Sequence, residues 1–280
     1  MQDQRPGHDD GQALSGGPGA LLGGHGLVEA LSKRLISLAS STCRRYGLLE
    51  RGDKVLLGLS GGKDSLLLLL FFCHLREILP FPIQIEAATV DVSGKAFDYG
   101  PLSDLCASLG IKHHVVRTQI LPIAERRGER SVCSFCAHMK RGYLCSLARE
   151  RGFWKLALGH HADDAVETLL LNLIYAGRVK SFRPRTWHSR SGLWVIRPFA
   201  EVEEELLLSE ARRLGLPDLA YPCPYGKGTR RAFAEELLRL IERESPGAKR
   251  NLLGALGRVR RDEVWALEEG VAIEAEEELE

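Results

Sequence analysis

Three groups of residues in this 280-residue chain combine types and spacings that could do chemistry. The first is Ser60-Gly61-Gly62-Lys63-Asp64-Ser65, which follows a short apolar run, Lys54 to Leu59, and opens directly into another, Leu66 to Cys73. Two glycines let a backbone curl until its N–H groups converge on an anion. A helix N-terminus adds positive potential there, and Lys63 adds a full charge. The Walker A pattern would need Gly at position 57 and Ser or Thr at position 64, where the chain has Leu57 and Asp64. The dinucleotide fingerprint would need a second Gly where Ser60 stands. An ordinary strand–turn–helix capped by Ser60 would account for the Ser and the Gly, but not for Lys-Asp-Ser.

The second group is Cys133-Ser-Phe-Cys136, followed by His138, Lys140, Arg141 and Gly142, with Cys223 far downstream between two prolines in Tyr221-Pro-Cys-Pro-Tyr225. A lone CxxC can be a zinc half-site, a redox pair or two buried thiols. A thioredoxin-type motif would follow a strand, whereas Cys133 follows the charged stretch Glu125 to Arg130. Proline on either side places Cys223 on a stiff, non-helical loop. Three thiolates fall one short of a structural zinc site, so His138 would have to be the fourth ligand. A 4Fe–4S cubane held by three cysteines leaves one iron open instead. Cys43, Cys73, Cys106 and Cys145 stand on apolar helical faces and read as small buried hydrophobes. The third group is Gly159-His160-His161-Ala-Asp163-Asp164. His and Asp pairs can bind metal, but carboxylates in the first turn of a helix also suit its dipole.

The elements that must position these groups alternate. Strands are expected at Lys54–Leu59, Ile83–Val90, His113–Arg117, Trp154–Leu158 and Leu193–Ile196. Helices are expected at 64–79, 101–109, 138–149, 163–175 and 202–214. This alternation predicts an α/β fold, an open parallel sheet with helices on both faces, in which ligands bind beyond the carboxyl ends of the strands. A helix over 27–46 precedes the first strand, with Leu27, Leu31, Leu35 and Leu38 at helical spacing, and two more follow at 231–244 and 248–268. The expected organisation is a disordered Gly-rich leader over 1–26, an N-terminal helix within 27–52, a nucleotide-binding and catalytic domain over 53–229, helices over 230–268 and an acidic tail over 269–280.

The SGGKDS motif after a first strand resembles the PP-loop of the N-type ATP pyrophosphatases. Together with CSFC followed by KRG, LGHHADDAVETLLLN and IRPF, it makes residues 53–198 similar to the tRNA 2-thiocytidine synthetases and their 2-thiouridine relatives. The likeness continues more loosely through YPC at 221–223 and SPG at 245–247. The resemblance implies the adenine nucleotide α-hydrolase-like fold, ATP cleaved to AMP and pyrophosphate, Mg²⁺, and a 4Fe–4S cluster on Cys133, Cys136 and Cys223. It implies thiolation of cytidine 32 in tRNA. It assigns phosphate binding to Ser60, Gly61, Gly62, Lys63 and Ser65, nucleotide contacts to Val90, Asp91 and Gly159, and Mg²⁺ to Asp64 and Asp164. The catalytic set is then Lys63, Asp64, Cys133, Cys136 and Cys223. A sulfide or persulfide donor protein and a homodimer go with it. The chain lacks zinc-ribbon cysteines of the uridine relatives at its two ends, which favours the cytidine branch. Other PP-loop tRNA modifiers, such as lysidine-type ligases, need no cysteines for their chemistry. A non-catalytic ATP-binding sensor is the alternative outside the enzymes.

Composition agrees with such a partner. The chain carries +1 overall, and the seven Glu of 268–280 with the two net negative charges of 1–26 leave +10 on residues 27–267, a basic body suited to nucleic acid. Candidate phosphate contacts are Lys140, Arg141, Arg178, Lys180, Arg183, Arg185, Arg230 and Arg231. The longest apolar run is eight residues, Leu66 to Cys73, far short of the ~20 needed to span a bilayer. The acidic N-terminus has no apolar core of a signal peptide, and seven unevenly spaced cysteines point to a reducing cytoplasm.

Overall fold

The computed structural model describes residues 23–129, 131–225 and 229–259. Within these, two compact units separate: Met1–Ala162 with Arg183–Lys227, and Asp163–Phe182 with Gly228–Glu280, each through its described residues.

The first unit is built on six strands: β1 (Lys54–Gly58), β2 (Gln84–Asp91), β3 (Lys112–Arg117), β4 (Lys155–Ala157), β5 (Arg185–His188) and β6 (Leu193–Ile196). They lie in the order β3-β2-β1-β4-β6-β5. Five of them run parallel, and β5 pairs antiparallel with β6 through a tight hairpin. The expected all-parallel sheet is therefore mixed. Strand β5 escaped notice because Arg-Thr-Trp-His has no apolar run: as an edge strand, it buries little.

Alternation along β1 sends Val55 and Leu57 to one face and Leu56 to the other. On the first face pack α1 (Gly24–Glu29), α2 (Lys33–Arg45), α3 (Lys63–Ile78), α4 (Gly100–Ser108) and α8 (Glu204–Arg213). On the second lie α5 (Ile120–Arg127) and α6 (Val132–Glu150). Helix α3 is apolar nearly all round, with every residue from Leu66 to Cys73 buried, because it is the middle helix of its layer, touching both α1 and α8.

The helix expected over 27–46 is two. Ser32 interrupts it, its side chain accepting from the Leu35 N–H at 3.3 Å and its own N–H donating to Glu210 at 2.6 Å. Helical structure already begins at Gly24, inside the expected leader; residues 1–22 lie outside the described residues, as do the acidic tail and the helix predicted beyond 260. The first half of the charged stretch before Cys133, Glu125 to Arg127, belongs to α5, and α6 begins at Val132, not at 138, so the two cysteines are helical.

The second unit holds α7 (Ala162–Ala176) from Asp163 onward, with α9 (Arg230–Glu244) and α10 (Ala248–Ala255), packed through Val166, Leu170 and Leu238. Most of α7, expected within the central domain, thus joins the C-terminal helices. Among the described residues no helix is long and apolar enough to cross a membrane.

One buried charge in the first unit was not foreseen. Lys155, 2% exposed on β4, donates to Asp53 at 2.7 Å and to the Leu48 carbonyl at 3.0 Å, while the Trp154 indole donates to the same Asp53 at 3.0 Å. Removing one partner of such a pair strands the other without water. Asp53→Ala should cost about 3–5 kcal/mol in urea unfolding, and Asp53→Leu combined with Lys155→Met should recover most of that loss.

Candidate active site

Because β1, β2 and β4 are parallel, their carboxyl ends share one edge, where Ser60–Ser65 follow β1, Val90 and Asp91 end β2, and Gly159 follows β4. Gly62, with no side-chain bond of its own, caps α3, so the cap is not Ser60. The loop is cinched by Ser65. Its hydroxyl accepts from the N–H groups of Ser60 and Gly61, both at 3.2 Å, and donates to the Gly62 carbonyl at 2.9 Å. Ser65 is thus the loop's internal tie. Gly61 has φ +89°, and a Cβ there would lie 2.4 Å from the Leu219 carbonyl oxygen, so only glycine fits. Gly159 lies against the start of α3 in a similar way, a Cβ there meeting the Asp64 carbonyl oxygen at 3.0 Å.

Lys63 reaches Glu204 at 2.8 Å and Asp64 at 3.1 Å. Burial works against its charge, but the bond to Glu204 and the attraction of both carboxylates more than offset it and hold the ammonium above its ordinary pKa. Asp64 also stands 4.0 Å from the buried imidazole of His161. Glu204 was missed in the sequence because an acid in the first turn of a helix is the commonest of surface features.

Val90 and Asp91 are both buried at the end of β2. The Asp91 carboxylate organises the loop that follows: it accepts from the Ser93 N–H at 3.0 Å, the Ser93 hydroxyl at 2.6 Å, the Phe97 N–H at 3.3 Å and Arg117 at 3.1 Å.

Cys133 and Cys136 lie one turn apart at the start of α6, on one face. The Cys133 thiol donates to the Tyr225 carbonyl at 3.3 Å, and the Tyr225 hydroxyl donates to Glu125 of α5 at 2.7 Å, which fastens the Pro222–Tyr225 loop beside α6. Burial pushes the Cys136 thiol up; Lys140 opposes this, and the neighbouring Cys223 and Cys133 add to it. The three sequence-predicted thiols therefore share one neighbourhood, with Cys223 exposed and Cys133 half-buried. His138 is exposed and two residues past Cys136 on the same helix, which points it elsewhere. Among the described residues no three His, Cys, Asp or Glu side chains close around a single metal ion. A cubane makes a different demand, since its thiolates bind separate irons and stand wider apart than ligands of one zinc. The donor set, three thiols and no imidazole, fits that group. The other cysteines are buried, and desolvation lifts Cys43 and Cys106 to about 12 and Cys73 to about 11.

In the second unit, Asp164 pairs with Arg231, which also meets Glu167 at 3.4 Å, while Asp163 holds Lys249 at 2.6 Å. Arg230 stacks over Tyr175 at 4.4 Å. In the first unit, Arg185 is held by the Gly47 carbonyl at 2.9 Å and lies 4.1 Å over Trp194. Of the basic candidates, Lys140, Arg141, Arg178, Lys180 and Arg183 are exposed.

The model of a PP-loop domain matches residues 31–217. A tRNA-cytidine(32) 2-sulfurtransferase of Geobacter metallireducens is 40% identical over 219 residues, covering 77% of this chain and 85% of that protein. The chain belongs to the PP-loop family, with the tRNA-cytidine(32) 2-sulfurtransferases. The enzyme of the same name from Geotalea daltonii is 36% identical over 239 residues, 84% of this chain and 94% of its own length. Among solved structures, the U34-tRNA thiolase NcsA of Methanococcus maripaludis, with its 4Fe–4S cluster, superposes with a TM-score of 0.69 at 25% identity, over 82% of this chain and 79% of the thiolase.

A charge-assisted contact contributes about 1.5–3 kcal/mol, so Lys63→Ala should weaken pyrophosphate binding by roughly 10- to 100-fold in titration calorimetry, with the circular dichroism spectrum unchanged.

Proposed function

We propose that this chain is an ATP-dependent tRNA sulfurtransferase that exchanges the C2 oxygen of cytidine 32 for sulfur. The observation that carries the reading is the coexistence, in one compact unit, of a PP-loop and three grouped thiols, within a chain 40% identical to a protein of that name.

The first step would join the base's O2 to the α-phosphorus of ATP as the bond to the β-phosphate breaks. The pyrophosphate departs toward the Gly61–Lys63 backbone and the Lys63 ammonium, where positive charge meets negative charge as it develops. Lys63 keeps its proton throughout, since its neighbours hold its pKa up. Hydrosulfide then adds at C2, the C2–O bond to AMP breaks, and the proton brought by sulfur leaves to solvent. Asp64 would hold Mg²⁺, a hard cation suited to carboxylate and phosphate oxygens. Cys133, Cys136 and Cys223 would hold a 4Fe–4S cluster, whose fourth iron supplies an open position for a sulfur ligand. Asp91 would act by ordering the 93–97 loop beside the nucleotide and Gly159 by letting the start of α3 approach closely, with Val90 as a nucleotide contact at the end of β2.

The target base must leave its stack to reach such a pocket, which is easiest in a tRNA loop. Lys140, Arg141, Arg178, Lys180 and Arg183 would meet tRNA phosphates. A sulfide or persulfide donor protein, a homodimer and a cytoplasmic setting complete the proposal.

Cys→Ser at 133, 136 or 223 should each abolish both thiolation and the broad visible absorption of the anaerobically reconstituted protein, while pyrophosphate binding survives. Cys→Ser at the buried positions 43, 73, 106 and 145 should leave the absorption in place. Full iron content and normal thiolation in Cys223→Ser would overturn the ligand set.

A further inference from the structure

The phosphate loop and the cysteine loop touch through one peptide. The Leu219 N–H donates to the Gly61 carbonyl at 3.0 Å, and the same stretch, Leu219 to Ala220, is what a Cβ at Gly61 would strike. A peptide unit is planar. The Gly61 carbonyl and the Gly62 N–H are therefore opposite ends of one rigid plate, one end held by Leu219 and the other donating to the Ser60 hydroxyl at 3.4 Å within the loop proposed to take the anion. Turning the Gly62 N–H toward a phosphate moves the carbonyl that Leu219 grips. A bond at one end also polarises the plate and strengthens a bond at the other.

Four residues after Leu219 comes Cys223, and the segment between is stiff. Pro222 and Pro224 fix their own φ on either side of the thiol. Tyr221 stands edge-on to Phe97 at 5.4 Å, and the Phe97 N–H donates to Asp91 at 3.3 Å. Both loops at the carboxyl edge assigned to the nucleotide thus meet the strip that ends in Cys223, the one after β1 through a hydrogen bond and the one after β2 through ring packing.

We infer that Leu219 is a positioning residue that couples occupancy of the phosphate loop to the placement of the Cys223 thiol. The inference rests on the proposed reading, in which the loop takes the pyrophosphate moiety and Cys223 is a ligand. Occupying the nest tightens the Leu219 bond, and the Pro-braced strip carries that change to the sulfur. Coupling is reciprocal, so loss of the bond weakens anion binding as well.

The test uses the full-length chain, reduced and iron-free, with inorganic pyrophosphate as the probe. Binding is followed by calorimetry, and alkylation of each cysteine by iodoacetamide is followed by peptide mass spectrometry. Saturating pyrophosphate should change the alkylation rate of Cys223 by about fivefold or more, with no change at Cys145. Leu219→Pro, which removes the donor, should still bind pyrophosphate, several-fold more weakly, and should lose the effect at Cys223. If this variant does not fold, Phe97→Ala, which frees Tyr221, should cut the effect at least by half. Binding without any change at Cys223 overturns the coupling, and so does an effect that persists undiminished in the folded variant, because the anion would then be shielding the thiol directly. Failure of the wild type to bind pyrophosphate defeats the reading of the loop itself, and the coupling with it.

Discussion

The parallel sense of the five strands β3-β2-β1-β4-β6 is the constraint on which the rest depends. Each parallel connection must cross over the sheet and return, and a sheet covered on both faces leaves its strand ends as the place where loops can meet a ligand. The order puts β1 at the centre with β2 and β4 beside it, so the three loops leaving these strands face one another. Glycine then decides how close they come. Gly61 admits the backbone of Leu219, where any side chain would collide, and Gly159 admits the first turn of α3, where a side chain would force the backbone to give.

Charge at this edge is arranged as tightly as the backbone. Lys63 is pinned between Asp64 and Glu204, which keeps a half-buried ammonium protonated and fixes where it points. An incoming phosphate competes with these carboxylates for the same cation, so anion binding exchanges one ion pair for another and does not charge an empty pocket. The thiols follow the opposite logic. Cys43, Cys73 and Cys106 are kept neutral by burial, whereas Cys223 is exposed and Cys133 half-buried beside a loop that Tyr225 and Glu125 fasten in place.

Much of this was legible in the sequence. Strong apolar runs placed β1, β2, β4, β6 and α3 to within a residue or two, and SGGKDS singled out the turn between β1 and α3 because no common structural turn asks for Lys-Asp-Ser after two glycines. What was missed lacked a local signal. Strand β5 is an exposed edge, and α5 is amphipathic in a stretch whose charges read as loop. Glu204, Leu219, Tyr225 and the Asp53–Lys155 pair earn their roles only through partners about 90 to 160 residues away in the chain. The Asp91 carboxylate shows the converse: the sequence singled it out, and the structure gives it a local job, ordering the 93–97 loop.

The central claim is that ATP activates the base oxygen itself. The most direct measurement follows that oxygen. A substrate tRNA carrying ¹⁸O at the C2 position of cytidine 32 is incubated with the reconstituted protein, ATP and sulfide, and the AMP is analysed by mass spectrometry. One ¹⁸O should appear in AMP for each 2-thiocytidine formed. Thiolation with unlabelled AMP, or with the label released to water, would contradict the account.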